Sequence, residues 1–135
     1  MYAQSTPEVV NFITTEEGDD LIVSFAIAAQ NEHGVVSLTL LRTPKFEFAL
    51  PADEWGVTVS HESFPDEHGP DLLHRIRVVP PKVLVESART WYELDVSKVD
   101  HRELRSALRV LELMNFDHRF AIELTERLGR TPYPY

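Results

Sequence analysis

The sequence predicts an α+β domain in which an antiparallel β-sheet built of hairpins, over about residues 9–96, packs against two C-terminal helices at about 100–115 and 117–128. Three observations predict it. The hydrophobic period changes from two to 3.6 once, near residue 97. The strand-like runs come first and the helical ones last, an order that favours an antiparallel sheet over βαβ units. The 135 residues carry no internal repeat or Gly/Ser linker. One domain is therefore expected, large enough to bury roughly two-thirds of its extended surface without metal or disulfide staples.

The elements come in order along the chain. Residues 9–14 and 21–29 flank the turn-rich stretch from Thr15 to Asp20 and suggest a hairpin. Leu21, Val23, Phe25 and Ile27 share one face by period two, and the small or apolar Ile22, Ser24, Ala26 and Ala28 opposite them suit a central strand. Gly34 supplies the positive φ of the next turn, and residues 35–42 return antiparallel, with Ile27 beside Leu38 and Phe25 beside Leu40 as the expected register. Residues 45–50 alternate Phe46, Phe48 and Leu50 with Lys45, Glu47 and Ala49, as an edge strand or a bend into one would. Residues 55–61 and 72–79 read as a second hairpin, ended by Pro80 and Pro81, and residues 82–87 and 91–96 as a third. Asp100 with Glu103 three residues on fits a capping box. Leu104, Ala107, Leu108, Leu111 and Met114 then form one apolar stripe, and Phe120, Ala121, Leu124 and Leu128 suggest a second helix ending at Gly129.

Composition excludes several function classes. Without cysteine there is no disulfide framework, thiolate zinc site, iron–sulfur cluster or cysteine nucleophile. No apolar run reaches the ~18 residues of a membrane span, and residues 1–7 lack the basic and apolar regions of a secretory signal, so the expected compartment is the cytoplasm. There is no phosphate-binding loop, dinucleotide fingerprint, nucleophile elbow or HExxH, and no cofactor is expected. The net charge of −9 is unevenly spread: residues 1–74 hold thirteen acids and two bases, Arg42 and Lys45, whereas residues 75–135 hold nine acids and eleven bases. Such a field repels phosphate backbones, so nucleic acid and membrane are not expected as partners.

Four sets of residues carry candidate chemistry. Residues 61–74 hold His61, Glu62, Asp66, Glu67, His68, Asp71 and His74. In a hairpin centred between Glu67 and His68, His61 and His74 face each other with Cβ atoms roughly 5 Å apart. His61, His68, Asp71 and His74 are then the candidate metal ligands, and the His pair a candidate acid/base couple, although solvated loop tips collect such residues without any site. His61, His74, Arg77, Trp55 and Trp91 are candidate ligand-binding residues for a pocket between sheet and helices. Arg102, Arg105 and Arg109 form a basic row on the first helix, with Arg75, Arg77 and Arg89 as candidate additions from the strands before it, while Tyr92, Tyr133 and Tyr135 lie near ends or turns. Glu16, Glu17, Asp19, Asp20, Asp53, Glu54, Asp66 and Glu67 compose the acidic partner surface.

The leading functional expectation is a non-enzymatic protein, of an inhibitor, immunity-like or adaptor kind, that presents its acidic surface to a basic protein partner. The alternatives are a small-molecule binding domain and a His/carboxylate metal-dependent hydrolase. An uncovered edge at residues 46–50 would also permit a homodimer.

Overall fold

The computed structural model describes residues 7–29, 34–64 and 69–125. Among the described residues, eight strands form one mixed sheet, accompanied by one α-helix: β1 (Glu8–Glu17), β2 (Leu21–Ala28), β3 (Val35–Arg42), β4 (Thr58–His61), β5 (Leu73–Val79), β6 (Lys82–Ser87), β7 (Trp91–Asp95), α1 (His101–Met114) and β8 (Ala121–Leu124). The order across the sheet is β4-β3-β2-β1-β7-β6-β5-β8. The β4 edge curls round to meet the chain entering β5. There the Val59 N–H donates to the Asp71 carbonyl and the Leu73 N–H to the Val57 carbonyl, each at 2.8 Å. The strands thus close into a ring, with β8 added alongside β5.

The hairpins β1–β2, β2–β3 and β6–β7 form where alternation predicts them. Gly34 has the expected positive φ, +118°. The β2–β3 register differs from expectation by two positions, with Phe25 opposite Leu38 and Val23 opposite Leu40, and a shift of two leaves every side chain on its face. Val10, Val23, Phe25, Ile27, Leu38, Leu40, Val59, Ile76, Val85 and Leu94 accordingly join a single buried core.

Two one-residue irregularities bend the ring. In β1, Val10 pairs with Ile27 and Phe12 with Ala26, so Asn11 is extra; the slip lets Val10 and Ile13 both point inward. In β5, Leu73 pairs with Ser87 and Arg75 with Glu86, so His74 is extra and exposed while Leu73 and Ile76 are both buried. β1 pairs with β7 in parallel through only Glu8 and Val9, then diverges from it.

The helix α1 packs on β1 and β2, burying Ala107, Val110, Leu111 and Met114. Its N-terminus is capped as expected, the Asp100 carboxylate accepting the Arg102 N–H at 2.8 Å. Glu103 does not complete the capping box. Its Oε1 accepts the Ile13 N–H at 3.0 Å, past the point where β1 leaves β7. Because a donor without an acceptor is costly, Glu103→Ala should lose about 1–2 kcal/mol of unfolding free energy in urea, and Glu103→Gln should recover about half of it. Equal losses in both variants would show that the acceptor is not what matters.

Four sequence expectations are corrected. The proposed helix at 117–128 is not seen: residues 121–124 form β8, parallel to β5, with Ile122 opposite Ile76, and residues 126–135, including Leu128, Gly129, Tyr133 and Tyr135, lie outside the described residues. The same apolar residues serve either period over so short a run, and pairing to β5 decides between them. The sheet is mixed rather than wholly antiparallel, because β1–β7 and β5–β8 are parallel. Residues 45–50 form no edge strand; Pro44–Ala49 is a 3-10 helix with proline in its first turn. Residues 55–61 and 72–79 are not a simple hairpin: β4 pairs with β3, β5 pairs with β6 through the cis Pro80–Pro81 turn, and β4 meets the β5 side only around Thr58 and Leu72.

Candidate functional site

The altered pairing separates the two histidines that the simple hairpin would have joined. His61 lies opposite Leu38 on β3, 4% exposed and pointing inward, whereas His74 occupies the outward bulge of β5. The Ser63 N–H donates to His61 Nδ1 at 3.1 Å, which assigns the ring hydrogen to Nε2, 3.4 Å from Glu8 Oε2. The imidazole stacks on Tyr92 at 5.5 Å between centroids and meets Phe64 at 4.5 Å. β4 and β7 are far apart in the sheet order, so His61 and Tyr92 meet across the inside of the ring.

Asp71 is also buried, but it serves the β6–β7 turn. It accepts from Ser87 Oγ at 2.6 Å and from the Arg89 N–H at 3.0 Å. Burial, joined by the negative charges of Asp71 and Glu8, pushes the Tyr92 phenol above its ordinary pKa. Its hydroxyl has no hydrogen-bond partner among the described residues. Tyr92 and Glu8 were not predicted as members of this cluster. Glu8 lies more than fifty positions from His61, and only ring closure brings them together.

The other predicted ligand and metal residues are dispersed. Arg77 faces outward and pairs with Glu123 at 2.9 Å, and Arg75 lies between Glu86 and Glu123. Trp91 is exposed at the start of β7. His68 falls outside the described residues, and among the described residues no three histidine or carboxylate side chains converge on a metal position. Of the arginine row, Arg109 pairs with Glu17 at 2.8 Å while Arg102 and Arg105 are exposed.

A second constellation lies where β3 ends, centred on a buried arginine. Leu38, Leu40 and Arg42 share the inward face of β3, so the strand delivers a guanidinium that is only 1% exposed. All five of its donors are satisfied. Nε and Nη2 donate to the two Glu47 oxygens at 2.8 and 2.9 Å, Nη1 and Nη2 to the two Asp117 oxygens at 2.8 and 2.9 Å, and Nη1 also to the Met114 carbonyl at 2.9 Å. The guanidinium carbon lies 4.2 Å from the Phe116 ring centroid.

Burial alone would lower the Arg42 pKa; the carboxylates of Asp117 and Glu47 overcome it and hold the pKa above the ordinary value. In return, the hydrogen bond from Arg42, aided by Arg119, holds Asp117 well below the usual carboxylate range against its own partial burial. Gly56 donates its N–H to Glu47 at 3.3 Å from a φ of +138°, a conformation that favours glycine. Sequence reasoning missed this group, although period two through Leu38 and Leu40 already points Arg42 inward.

The network fixes the surface around it. Glu47 faces in, leaving its 3-10 neighbours Phe46 and Phe48 58% and 79% exposed, with Leu50 and Phe116 also exposed. Lys45 reaches Asp19 at 3.1 Å and lies 5.6 Å from the Phe46 ring, which puts the β1–β2 turn beside it. Arg119 bridges Asp117 to the Ala52 carbonyl and lies over Trp55, whose Nε1 donates to the Leu50 carbonyl. Trp55 therefore belongs to this end of the molecule, away from His61.

The six described members of the predicted acidic set, Glu16, Glu17, Asp19, Asp20, Asp53 and Glu54, are all exposed; Asp66 and Glu67 lie outside the described residues. No protein-family model, curated protein or solved structure matches the chain.

Proposed function

We propose that the protein is a binding module that offers the acidic end of its ring to a basic protein partner. The observation that carries this reading is how the two cations of the first 74 residues are used. Arg42 is buried and fully satisfied, and Lys45 is paired with Asp19. Glu16, Asp53 and Glu54 are left exposed with no ion-pair partner among the described residues. Their field would speed encounter with a positive surface and discourage phosphate-rich ones.

The test is affinity capture from cells that express the protein, on the wild-type chain and on a Glu16→Gln/Asp53→Asn/Glu54→Gln variant of equal thermal stability. The expected result is a basic partner retained by the wild type, released between about 50 and 300 mM salt, and poorly retained by the variant. Equal retention of the same partners by both chains, or release indifferent to salt, would remove the reading.

A second reading is favoured by Tyr92, buried with its ring stacked on His61 and its hydroxyl without a hydrogen-bond partner among the described residues: a small molecule held inside the ring. Native mass spectrometry distinguishes it, because a carried-over ligand appears as mass lost on denaturation.

A further inference from the structure

We infer that the docking centre of the acidic end is the exposed aromatic surface of the 3-10 helix, and that its occupant is a polypeptide segment carrying apolar anchors between lysines or arginines. The inference rests on the acidic-partner reading and names the partner's chemistry.

Phe46, Phe48 and Phe116 are large apolar side chains left exposed outside the buried core. All three surround the Arg42–Glu47 pair, Phe46 and Phe48 as the chain neighbours of Glu47 and Phe116 against the guanidinium. Exposed aromatics around one point mark interaction surfaces, where a few large anchors supply most of the binding energy. Here they are also held in place. Glu47, between the two phenylalanines, is locked to Arg42 by two hydrogen bonds, and Phe116 lies against the same guanidinium. A preorganised surface loses little conformational freedom when it binds.

Charge selects the occupant. Asp19 and Asp20 at the β1–β2 turn accept from Lys45 and Thr43, and Asp53 and Glu54 lie in the short 3-10 turn before Trp55, whose indole donates to the Leu50 carbonyl. A second copy of the chain, itself at −9, would bring like charges together around the same aromatics. Anionic lipid and nucleic acid meet the same repulsion. A segment with apolar anchors flanked by cations satisfies both halves of the surface, as anchors in a central patch with complementary charge at the rim.

The test uses two synthetic peptides of equal length, titrated against the fluorescently labelled full chain at low salt. One alternates leucine and phenylalanine with lysine so as to be amphipathic; the other is lysine only. The expected result is tighter binding of the amphipathic peptide, weakened about tenfold or more by Phe48→Ser and by Phe46→Ser. Both positions are exposed, and an unchanged melting temperature checks that the fold is kept.

If the two peptides bind alike, or if the serine variants bind as the wild type does, the aromatic centre is refuted and the acidic reading stands. If neither peptide binds, both fail. Self-association of the wild type that Phe48→Ser abolishes would assign the surface to a second copy and overturn the inference.

Discussion

Replacing Arg42 by alanine is expected to cost about 3–5 kcal/mol, the usual loss when one member of a buried charge group is deleted and its partners stay behind. Glu47 and Asp117 would face each other without the cation that satisfies both, and the Met114 carbonyl would lose its donor. Domains of this size are held by about 5–15 kcal/mol in all, so the variant should melt roughly 10–20 °C lower. Arg42→Lys should recover little, because an ammonium cannot satisfy two carboxylates and a carbonyl in the fixed fork of a guanidinium. Urea unfolding measures the effect. A loss below about 1 kcal/mol, the range of exposed pairs, would show that the network is not a keystone of the fold.

Acid should dismantle the same network, and the sign is set by Asp117. Its carboxyl is held below the ordinary range in the folded state, so the unfolded chain takes up the proton first as pH falls. The stabilisation is complete above the unfolded pKa of about 4 and drains away as pH drops from about 5 toward the folded value. Asp117→Asn removes the charge at every pH. It should cost about 1.5–3 kcal/mol at pH 7, the worth of hydrogen bonds to a charged group. The gap between wild type and variant should then narrow below pH ~4. Denaturation curves that stay parallel from neutral to acid pH would mean that Asp117 is not protected by Arg42.

How much of this was legible in the sequence depends on how local each feature is. The β1–β2, β2–β3 and β6–β7 hairpins and the Asp100 cap are set by neighbours, and period and turn chemistry indicated them. The extra residues Asn11 and His74 were not legible. A bulge is one residue in an otherwise regular alternation, and it reverses the facing of everything beyond it. The His61–His74 pair dissolved because the strands changed partners: the hydrophobic matches that suggested a register were satisfied by β3 and β6 instead. The β8 strand could not be told from a helix, because its four residues gain their pairing from a strand about 45 positions earlier. Of the candidate sites, the exposure of the described acids was legible as charge. The aromatic surface was not, because it depends on Glu47 turning inward to Arg42.

The brief parallel contact between β1 and β7 bears on how the chain behaves while it is being made. Glu8 and Val9 must wait for Leu94 and Asp95, so the first strand leaves the ribosome long before its second neighbour exists. Until then β1, paired only with β2, leaves its other side as an open backbone edge, the kind of template on which nascent chains stick to one another. That strand carries Glu8, Glu16 and Glu17, and its turn adds Asp19 and Asp20. Like charges along that open edge are the gatekeepers that natural strands use against self-pairing, and they would keep identical chains on one polysome apart until the ring can close.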